Sequence, residues 1–233
     1  MSELLIELFS EEIPARMQGR AGEAFKQALA AELDTALLTH DPVEAYVTPR
    51  RLALSVAGLP ARQPDSQTER RGPRVGAPAQ AVRGFVKSLG VPVAAVDSLS
   101  NDGLIAYFAP AQAPLKAVAE SGQQLAVTFT ITGTDKAQYY SATVTAGGRP
   151  LAVMLPALIN AAIGRIPWPK SMRWADSTAR YVRPLHGILA ILDGRSLIGA
   201  YPVGGAIGAL TYGNRTRGHR FLAPNPFPVT GFA

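Results

Sequence analysis

The first sixty residues follow a strand–helix–strand–strand order, which limits the chain to folds in which helices pack on a sheet. Residues 4–9 are a short apolar run typical of a buried strand. Apolar side chains then recur at helical spacing over roughly 15–38, which predicts one amphipathic helix. Further strands are predicted at 43–47 and 52–57. This order predicts an α+β fold with a mixed or mainly antiparallel sheet and helices packed on one side.

Hairpin signals account for most of the later strands. The runs 125–132 and 139–145 are rich in alternating β-branched residues, which predicts a hairpin with a turn between them. Asp193-Gly194 lies between apolar runs at 187–192 and 196–201, and this dipeptide is typical of a two-residue hairpin turn.

The other segments predict a linker, two helices and one more strand. Residues 58–80 are rich in Pro, Gly, Arg and Gln without a period, so a loop or mobile linker is predicted there. A short helix follows and ends at Gly90, a strand is predicted at 105–109, and a second helix at 151–165.

A chain of 233 residues is long enough for one large domain or two small ones. We expect two subdomains. The main α+β subdomain combines 1–60 with 165–233, so that the early strands meet the hairpin at 186–201. Residues 61–164 supply a linker, a short helix and a smaller β-rich insertion. The apolar residues 228–233 at the C-terminus lead us to expect that the chain is part of a longer protein.

Composition excludes several classes of function. The chain has no cysteine, so disulfides, thiolate metal sites and a cysteine nucleophile are excluded. Its three histidines, His40, His186 and His219, are far apart in sequence, which argues against a histidine metal site. The N-terminus lacks the pattern of a signal peptide, and the apolar stretch 151–166 is too short to cross a bilayer. These features predict a cytoplasmic protein without a metal or a membrane partner.

The net charge of +6 is distributed in blocks. Residues 1–47 carry nine acids and three bases, whereas 48–87 carry eight bases and two acids. The window 165–220 holds nine Lys or Arg against two acids, together with both tryptophans. Two basic blocks that meet on one face would attract a polyanion, and guanidinium groups beside aromatic rings suit phosphate and bases. A solvated basic face around a small core explains the same composition.

Six short motifs carry a family resemblance. They are Glu11-Glu12-Ile13-Pro14, Thr48-Pro49-Arg50-Arg51-Leu52-Ala53, Arg71-Gly72-Pro73, the run at 167–174, Arg183-Pro184-Leu185-His186 and Gly218-His219-Arg220-Phe221. In this order they resemble the β subunit of bacterial heterotetrameric (α2β2) glycyl-tRNA synthetase, over nearly the whole chain. Family β subunits are several times longer, so the resemblance covers their N-terminal portion. The stretch 125–145 looks like an insertion relative to the family pattern.

The resemblance implies a subunit fragment of a glycine–tRNA ligase that is itself non-catalytic. The α subunit would hold the class II active site and use ATP and Mg²⁺, so that no cofactor is expected in this chain. The chain would support binding of tRNA-Gly and assembly with the α subunit and with the remaining β domains. The Gly-rich segment 204–208 lacks a following Lys-Ser/Thr and is interpreted as a loop rather than a phosphate cradle.

The candidate RNA-binding residues are the cations of these motifs, and no catalytic or metal-binding residue is predicted. They are Arg50, Arg51, Lys170, Arg173, Arg183, Arg215, Arg217, His219 and Arg220. Lys170 and Arg173 would share a face on a helical turn. Sequence alone leaves open that these residues brace the fold, for example through pairing of Arg50 or Arg51 with a carboxylate of the first segment.

The neighbouring motif residues have structural interpretations. The two tryptophans, Trp168 and Trp174, are expected to pack against the core rather than to stack on bases. His186 is expected to be a hydrogen-bonded core histidine. Glu11 and Glu12 are expected to stabilise the N-terminus of the following helix.

Two other classes of function remain open. The basic motifs could be a scaffold that contacts the α subunit or the other β domains without touching RNA. Alternatively, His186 or His219 with a nearby carboxylate could hydrolyse mischarged tRNA, although glycine is the smallest amino acid and larger ones are easily rejected by size.

Overall fold

The structure is a computed structural model that describes residues 1–91, 100–108, 114–119, 123–134, 137–174 and 176–232. The α-helices in these ranges are α1 (Ala15–Thr35), α2 (Ala79–Ser88), α3 (Asn101–Ala106) and α4 (Leu151–Gly164). The strands are β1 (Ser2–Ser10), β2 (Glu44–Thr48), β3 (Arg51–Leu59), β4 (Ser66–Arg74), β5 (Leu115–Val118), β6 (Gln124–Thr134), β7 (Ala137–Ala146), β8 (Leu185–Leu192), β9 (Arg195–Ser196), β10 (Ala200–Gly204), β11 (Gly208–Gly213), β12 (Arg215–Arg217) and β13 (Pro226–Pro228). Helices with mixed and antiparallel sheets make this an α+β fold, as the sequence predicts.

The chain divides into two compact units. The first contains Met1–Gln63 and Pro150–Ala233, and the second contains Pro64–Arg149. The boundary near residue 150 differs from the expected 165 because helix α4 belongs to the first unit. Its apolar residues Leu155, Ile159 and Ile163 are buried in the same core as α1.

The first unit is built on a mixed sheet with the strand order β10-β11-β8-β1-β3-β2, and β9 pairs with β8. Strand β1 lies in the middle, antiparallel to both β3 and β8, whereas β11 pairs with β8 in parallel. Because side chains alternate along a strand, Leu4, Ile6 and Leu8 of β1 share one face and are fully buried. Glu7 and Phe9 lie on the opposite face.

Helices α1 and α4 cover the first face of this sheet. The buried residues of α1 include Met17, Ala21, Phe25 and Leu29, whose spacing of four residues forms the apolar stripe that the sequence predicts. Pro14 occupies the N-cap position, and no side chain caps the helix N-terminus. The expectation that Glu11 and Glu12 cap this helix is therefore wrong.

The C-terminal segment crosses the second face of the sheet. Strands β12 and β13 pair as a two-stranded ribbon, here called the C-terminal ribbon (residues 214–229). Val229 packs on the small cluster of Leu5, Leu189 and Ile191. This ribbon brings the basic C-terminal motif over the polar side chains of β1.

The second unit is a four-stranded sheet with the order β4-β7-β6-β5, and helices α2 and α3 share its core. The predicted hairpin is confirmed by the pairing of β6 with β7, while its turn residues Asp135 and Lys136 lie outside the described residues. Phe108 packs between the rings of Phe129 and Tyr140, with centroids 4.7 and 4.4 Å away.

Two local predictions are wrong in this unit. Residues 66–74 form strand β4 rather than a linker, because they pair with β7 along an exposed sheet edge where side chains need no apolar period. Residues 101–106 form helix α3 rather than lying beside a strand at 105–109, of which residue 109 lies outside the described part. The Ser100 hydroxyl accepts a hydrogen bond from the Gly103 N–H at 3.0 Å and thereby caps this helix.

The predicted turn at Asp193-Gly194 is confirmed, but its second strand is only β9 (Arg195–Ser196), because residues 200–201 belong to β10, which pairs with β11. Asp193 and Gly194 both adopt positive φ, 49° and 78°, as a two-residue hairpin turn requires. Among the described residues, no helix is both long and apolar enough to cross a membrane.

Candidate nucleic-acid interface

Two clefts of the first unit meet at Glu11. The first, here called the ribbon cleft, has a volume of about 520 Å³. It is lined by Glu7, Phe9, Glu11, Arg50, His186, Gly187, Leu189, Arg215, Thr216, Arg217 and Pro226. The second has a volume of about 760 Å³ and is lined by Glu11, Glu12, Ile13, Pro14, Ala15, Gln18, Pro49, Arg183 and Arg220. Five of the nine predicted RNA-binding residues line one or the other cleft.

Arg50 and Arg51 flank Phe9 on the second face of the sheet. Their guanidinium carbons lie 4.8 and 4.9 Å from the centre of the Phe9 ring, within the range of a cation–π contact. Arg50 Nη2 lies 3.5 Å from Glu11 Oε1, and Arg51 Nε lies 3.3 Å from Glu7 Oε2. Both arginines therefore pair with carboxylates of the first segment, the bracing arrangement that sequence left open.

His186 hydrogen-bonds to Glu11 in the ribbon cleft. Its Nε2 lies 2.7 Å from Glu11 Oε1, and because a carboxylate only accepts, Nε2 carries the proton. This hydrogen bond lowers the pKa of Glu11, and the positive charges of Arg50, His186 and Arg220 lower it further, while partial desolvation opposes them. The side chain of His186 is 44% exposed, so the expectation of a core histidine is wrong although its hydrogen bond is present.

The ribbon supplies the most accessible cations of the first cleft. Arg215 and Arg217 are exposed, and Arg215 Nη2 donates to the Pro226 carbonyl at 2.8 Å across the ribbon. The Arg217 carbonyl accepts a hydrogen bond from Arg51, and the Thr216 hydroxyl donates to Glu7. Within the described ranges neither ribbon arginine has a carboxylate partner, which leaves both charges uncompensated.

Arg183 and Arg220 both line the second cleft. Arg183 donates from Nη1 to the Val182 carbonyl at 2.9 Å, and Arg220 lies with its guanidinium carbon 5.6 Å from the Phe221 ring. His219 is exposed, and its Nδ1 accepts hydrogen bonds from the backbone N–H groups of Phe221 and Leu222, both at 3.3 Å. These contacts shape the loop that follows the ribbon strand.

Lys170 and Arg173 are not among the lining residues of either cleft. Both are exposed, but residues 167–174 are not helical, because Met172 pairs with Tyr181 through a β-bridge. The expected helical face shared by Lys170 and Arg173 therefore does not form. Trp168 and Trp174 pack against the main core as predicted, and the Trp168 ring contacts that of Tyr181 edge-on at 4.7 Å.

The Gly-rich segment connects strands β10 and β11, and its Ala206 N–H group is already hydrogen-bonded within the protein. The Asp176 carboxylate accepts a hydrogen bond from the Ala206 N–H at 2.8 Å, and a Cβ added to Gly205 would lie 2.3 Å from Asp176 Oδ1. A carboxylate in this position would repel a phosphate. No group of three His, Asp or Glu suited to a metal occurs among the residues with described positions.

Comparison with known proteins decides the family. The family model described as "Glycyl-tRNA synthetase beta subunit" matches residues 4–233. The chain belongs to the glycyl-tRNA synthetase beta subunit family.

Individual relatives agree with this assignment. The chain is 40% identical over 250 residues to the glycine–tRNA ligase beta subunit of Rhodospirillum centenum, an alignment that covers 100% of the chain and 30% of that relative. It is 40% identical over 232 residues to the corresponding protein of Paracoccus denitrificans, covering 100% of the chain and 29% of the relative. The Geobacter sulfurreducens protein is 35% identical over 238 residues, with 99% and 29% covered. The chain thus spans about a third of the length of the relatives it matches.

Glu7 and Phe9 belong to the site but are not among the residues that the sequence predicts for it. Glu7 is the one charged position in the apolar run at 4–9, and a charge within a predicted buried strand could have drawn attention to it. Phe9 was interpreted only as part of that run. Their roles depend on β3 and the C-terminal ribbon, which are distant in sequence.

Proposed function

We propose that this chain helps a glycine–tRNA ligase to hold tRNA-Gly while glycine is attached in protein biosynthesis. Family membership supports a role in this ATP-dependent reaction. The arrangement of cations around the two clefts supports a direct role in tRNA binding. We assign no adenylate-forming site to the chain.

One observation carries the proposal: four arginines without a carboxylate partner among the described residues line the two clefts of the first unit. Arg215 and Arg217 line the ribbon cleft, while Arg183 and Arg220 line the neighbouring one. Guanidinium groups bind phosphate in a forked, charge-assisted geometry. Arg50 and Arg51 contribute less, because Glu11 and Glu7 already neutralise them. Most bases of the block 48–87 belong to the second unit, and the lining residues of the two clefts all belong to the first.

The proposed role in a glycine–tRNA ligase implies partners and cofactors for this chain. We expect an α2β2 heterotetramer in which the α subunit binds ATP and Mg²⁺. The remaining β domains would contact tRNA or the α subunit elsewhere, and the assembly would be cytoplasmic. Lys170, Arg173 and His219 stay predicted RNA contacts that would act outside the two clefts.

A salt titration tests the proposal. The complete enzyme is titrated with tRNA-Gly and with an unrelated tRNA at about 50 and about 200 mM salt. Phosphate-mediated binding weakens steeply with salt and shows little selectivity at these arginines, because A-form RNA is recognised largely by shape and 2′-hydroxyls. If replacement of the cleft arginines leaves the salt dependence unchanged, the proposal is wrong.

A scaffold role is the second candidate, because two large apolar side chains lie next to the arginines. Phe221 is 79% exposed and Leu222 is 86% exposed. Exposed apolar residues within a basic loop suit a protein partner better than a phosphate backbone. Capture of the α subunit that depends on Phe221 and Leu222 and persists without tRNA would favour the scaffold.

A further inference from the structure

We propose that the ribbon cleft binds one unpaired nucleotide of the RNA. The base, the ribose and the phosphate of this nucleotide would each contact different side chains that line the cleft. This inference rests on the proposed role in tRNA binding and specifies what the RNA would place there. The cleft volume of about 520 Å³ falls in the range of about 300–1,000 Å³ that is usual for small-ligand sites.

The phosphate would lie on the ribbon side of the cleft. Arg215 donates one of its N–H groups to the Pro226 carbonyl, and a guanidinium has five, so donors remain. The Arg217 side chain has no hydrogen-bond or ion-pair partner in the described part of the chain. Two exposed guanidinium groups two residues apart on one strand are suited to a shared phosphate, since alternate side chains lie on the same face.

The base would contact the aromatic side of the cleft. The rings of Phe9 and His186 lie 5.8 Å apart at an angle of 47°, and both line the cleft. Because the Phe9 ring already contacts Arg50 and Arg51, the half-exposed His186 ring offers the more accessible surface. Stacking of a base on a histidine or arginine plane is a common feature of RNA recognition.

Glu11 supplies an acceptor for the ribose. Its Oε1 is used by His186 and Arg50, whereas its Oε2 has no hydrogen-bond partner among the described residues. A 2′-hydroxyl can donate to this oxygen, a contact that DNA cannot make. The carboxylate remains compatible with a nearby phosphate because Arg50 compensates its charge and His186 donates a hydrogen bond to it.

The same charges explain why an anionic ligand is favoured over an amine. Glu7 pairs with Arg51 and accepts a hydrogen bond from Thr216, and Glu11 pairs with Arg50 and hydrogen-bonds to His186, whereas Arg215 and Arg217 have no carboxylate partner among the described residues. The nucleotide must be unpaired, because a base in a duplex is stacked on both faces and cannot enter a cleft walled by a sheet and a ribbon. Loops and single-stranded ends of RNA meet this requirement.

The experiment compares nucleoside monophosphates with inorganic phosphate on the complete enzyme. Binding of CMP, UMP and phosphate is measured by isothermal titration calorimetry for the parent, Arg217→Ala, His186→Gln and the control Arg195→Ala. Arg195 is exposed on β9 and is not one of the cleft-lining residues. His186→Gln keeps an N–H donor for Glu11 but removes the ring.

We expect the monophosphates to bind more tightly than phosphate. His186→Gln should weaken nucleotide binding by about fivefold or more while leaving phosphate binding unchanged, because it removes one base–ring contact. Arg217→Ala should weaken both ligands by about fivefold or more, since it removes a charge-assisted contact. Arg195→Ala should change neither.

Equal affinity for phosphate and nucleotide, or nucleotide binding unaffected by His186→Gln and Arg217→Ala, would overturn the inference. Competition against bound CMP by a blunt RNA hairpin and by the same hairpin with a single-stranded 3′ overhang identifies the source of the nucleotide. If the enzyme binds intact tRNA in a salt-sensitive way but does not bind the mononucleotides, the nucleotide site is wrong and the proposed function is still supported. If tRNA binding is the same with and without the cleft arginines, the proposed function is wrong.

Discussion

Arg51 and Glu7 lie diagonally across neighbouring strands on the ribbon-facing side of the central sheet. Arg51 Nε is 3.3 Å from Glu7 Oε2, and the side chains are only 20% and 14% exposed. Arg51 also donates to the Arg217 carbonyl, and Thr216 donates to Glu7. One ion pair therefore joins strands β1 and β3 to the C-terminal ribbon, and it determines where the ribbon arginines lie.

Removing either member of this pair should destabilise the first unit. Glu7→Gln leaves Arg51 without its counter-charge, and Arg51→Met leaves Glu7 partly buried and unpaired. Loss of a charged hydrogen bond in such a place costs about 1–3 kcal/mol. Urea denaturation would measure this free energy of unfolding.

The double replacement is the control for that experiment. Each single replacement leaves the other charge without its partner. The double variant Glu7→Gln with Arg51→Met should therefore lose less free energy of unfolding than the sum of the two single losses. Strictly additive losses would show that the two residues act independently.

Replacing Arg215, Arg217 and Arg220 by Ala should weaken tRNA binding by at least about tenfold at low salt, since three charge-assisted phosphate contacts are lost. The slope of log affinity against log salt should become shallower by roughly 2–3. The melting temperature should change little, because these side chains are exposed.

A matched triple variant separates this site from net charge. Arg16, Arg20 and Arg195 are exposed and are not among the lining residues of either cleft, and their replacement by Ala removes the same charge. An equal loss of affinity in both triple variants would indicate a general electrostatic effect instead of a site at the clefts.

Local pattern was sufficient to predict most elements of the fold. The alternation in 139–145 and the turn residues Asp193-Gly194 specify strands and hairpins through nearby residues alone. Strand β4 is not predicted by its own sequence because it is specified by contacts with its partner strand β7. Arg71 of β4 pairs with Ser141 of β7, and the Arg71 guanidinium carbon lies 3.6 Å from the centre of the Tyr139 ring. An edge strand of polar residues carries no local signal that separates it from a linker.

The sequence names the cations of the candidate site but not their arrangement, and their role in RNA binding stays a prediction. Five of the nine predicted residues line the two clefts, yet the ion pairs of Arg50 with Glu11 and of Arg51 with Glu7 join residues that are distant in the sequence. Sequence spacing contains no information on such pairs. It therefore could not decide which cations stay available.

The Glu11–His186 hydrogen bond makes a pH-dependent contribution to stability. The pKa of Glu11 is held below its ordinary value of 4.5, chiefly by His186. A lowered folded-state pKa stabilises the fold above the ordinary pKa, and this stabilisation is lost as the pH falls through the folded pKa. The parent should therefore exceed Glu11→Gln in free energy of unfolding at neutral pH, and this difference should vanish in acid.

Urea titrations of both proteins at several pH values would check this difference. Glu12→Gln is the control, because Glu12 is exposed and no hydrogen bond or ion pair of its side chain occurs within the described part of the chain. A constant difference between the parent and Glu11→Gln down to acid pH would contradict the role assigned to the hydrogen bond.

Two glycines of helix α1 should respond in opposite directions to replacement by Ala. Gly19 has open space where a Cβ would lie, so Gly19→Ala should stabilise the first unit by about 0.5–1 kcal/mol through helix propensity. At Gly22 the added Cβ would lie 2.4 Å from Val47 Cγ2 on strand β2, closer than two carbons can approach. Overpacking of this kind costs about 1–3 kcal/mol and outweighs the gain in propensity. Thermal and urea unfolding of the two variants would measure both signs, and stabilisation by Gly22→Ala would show that α1 does not pack this closely on β2.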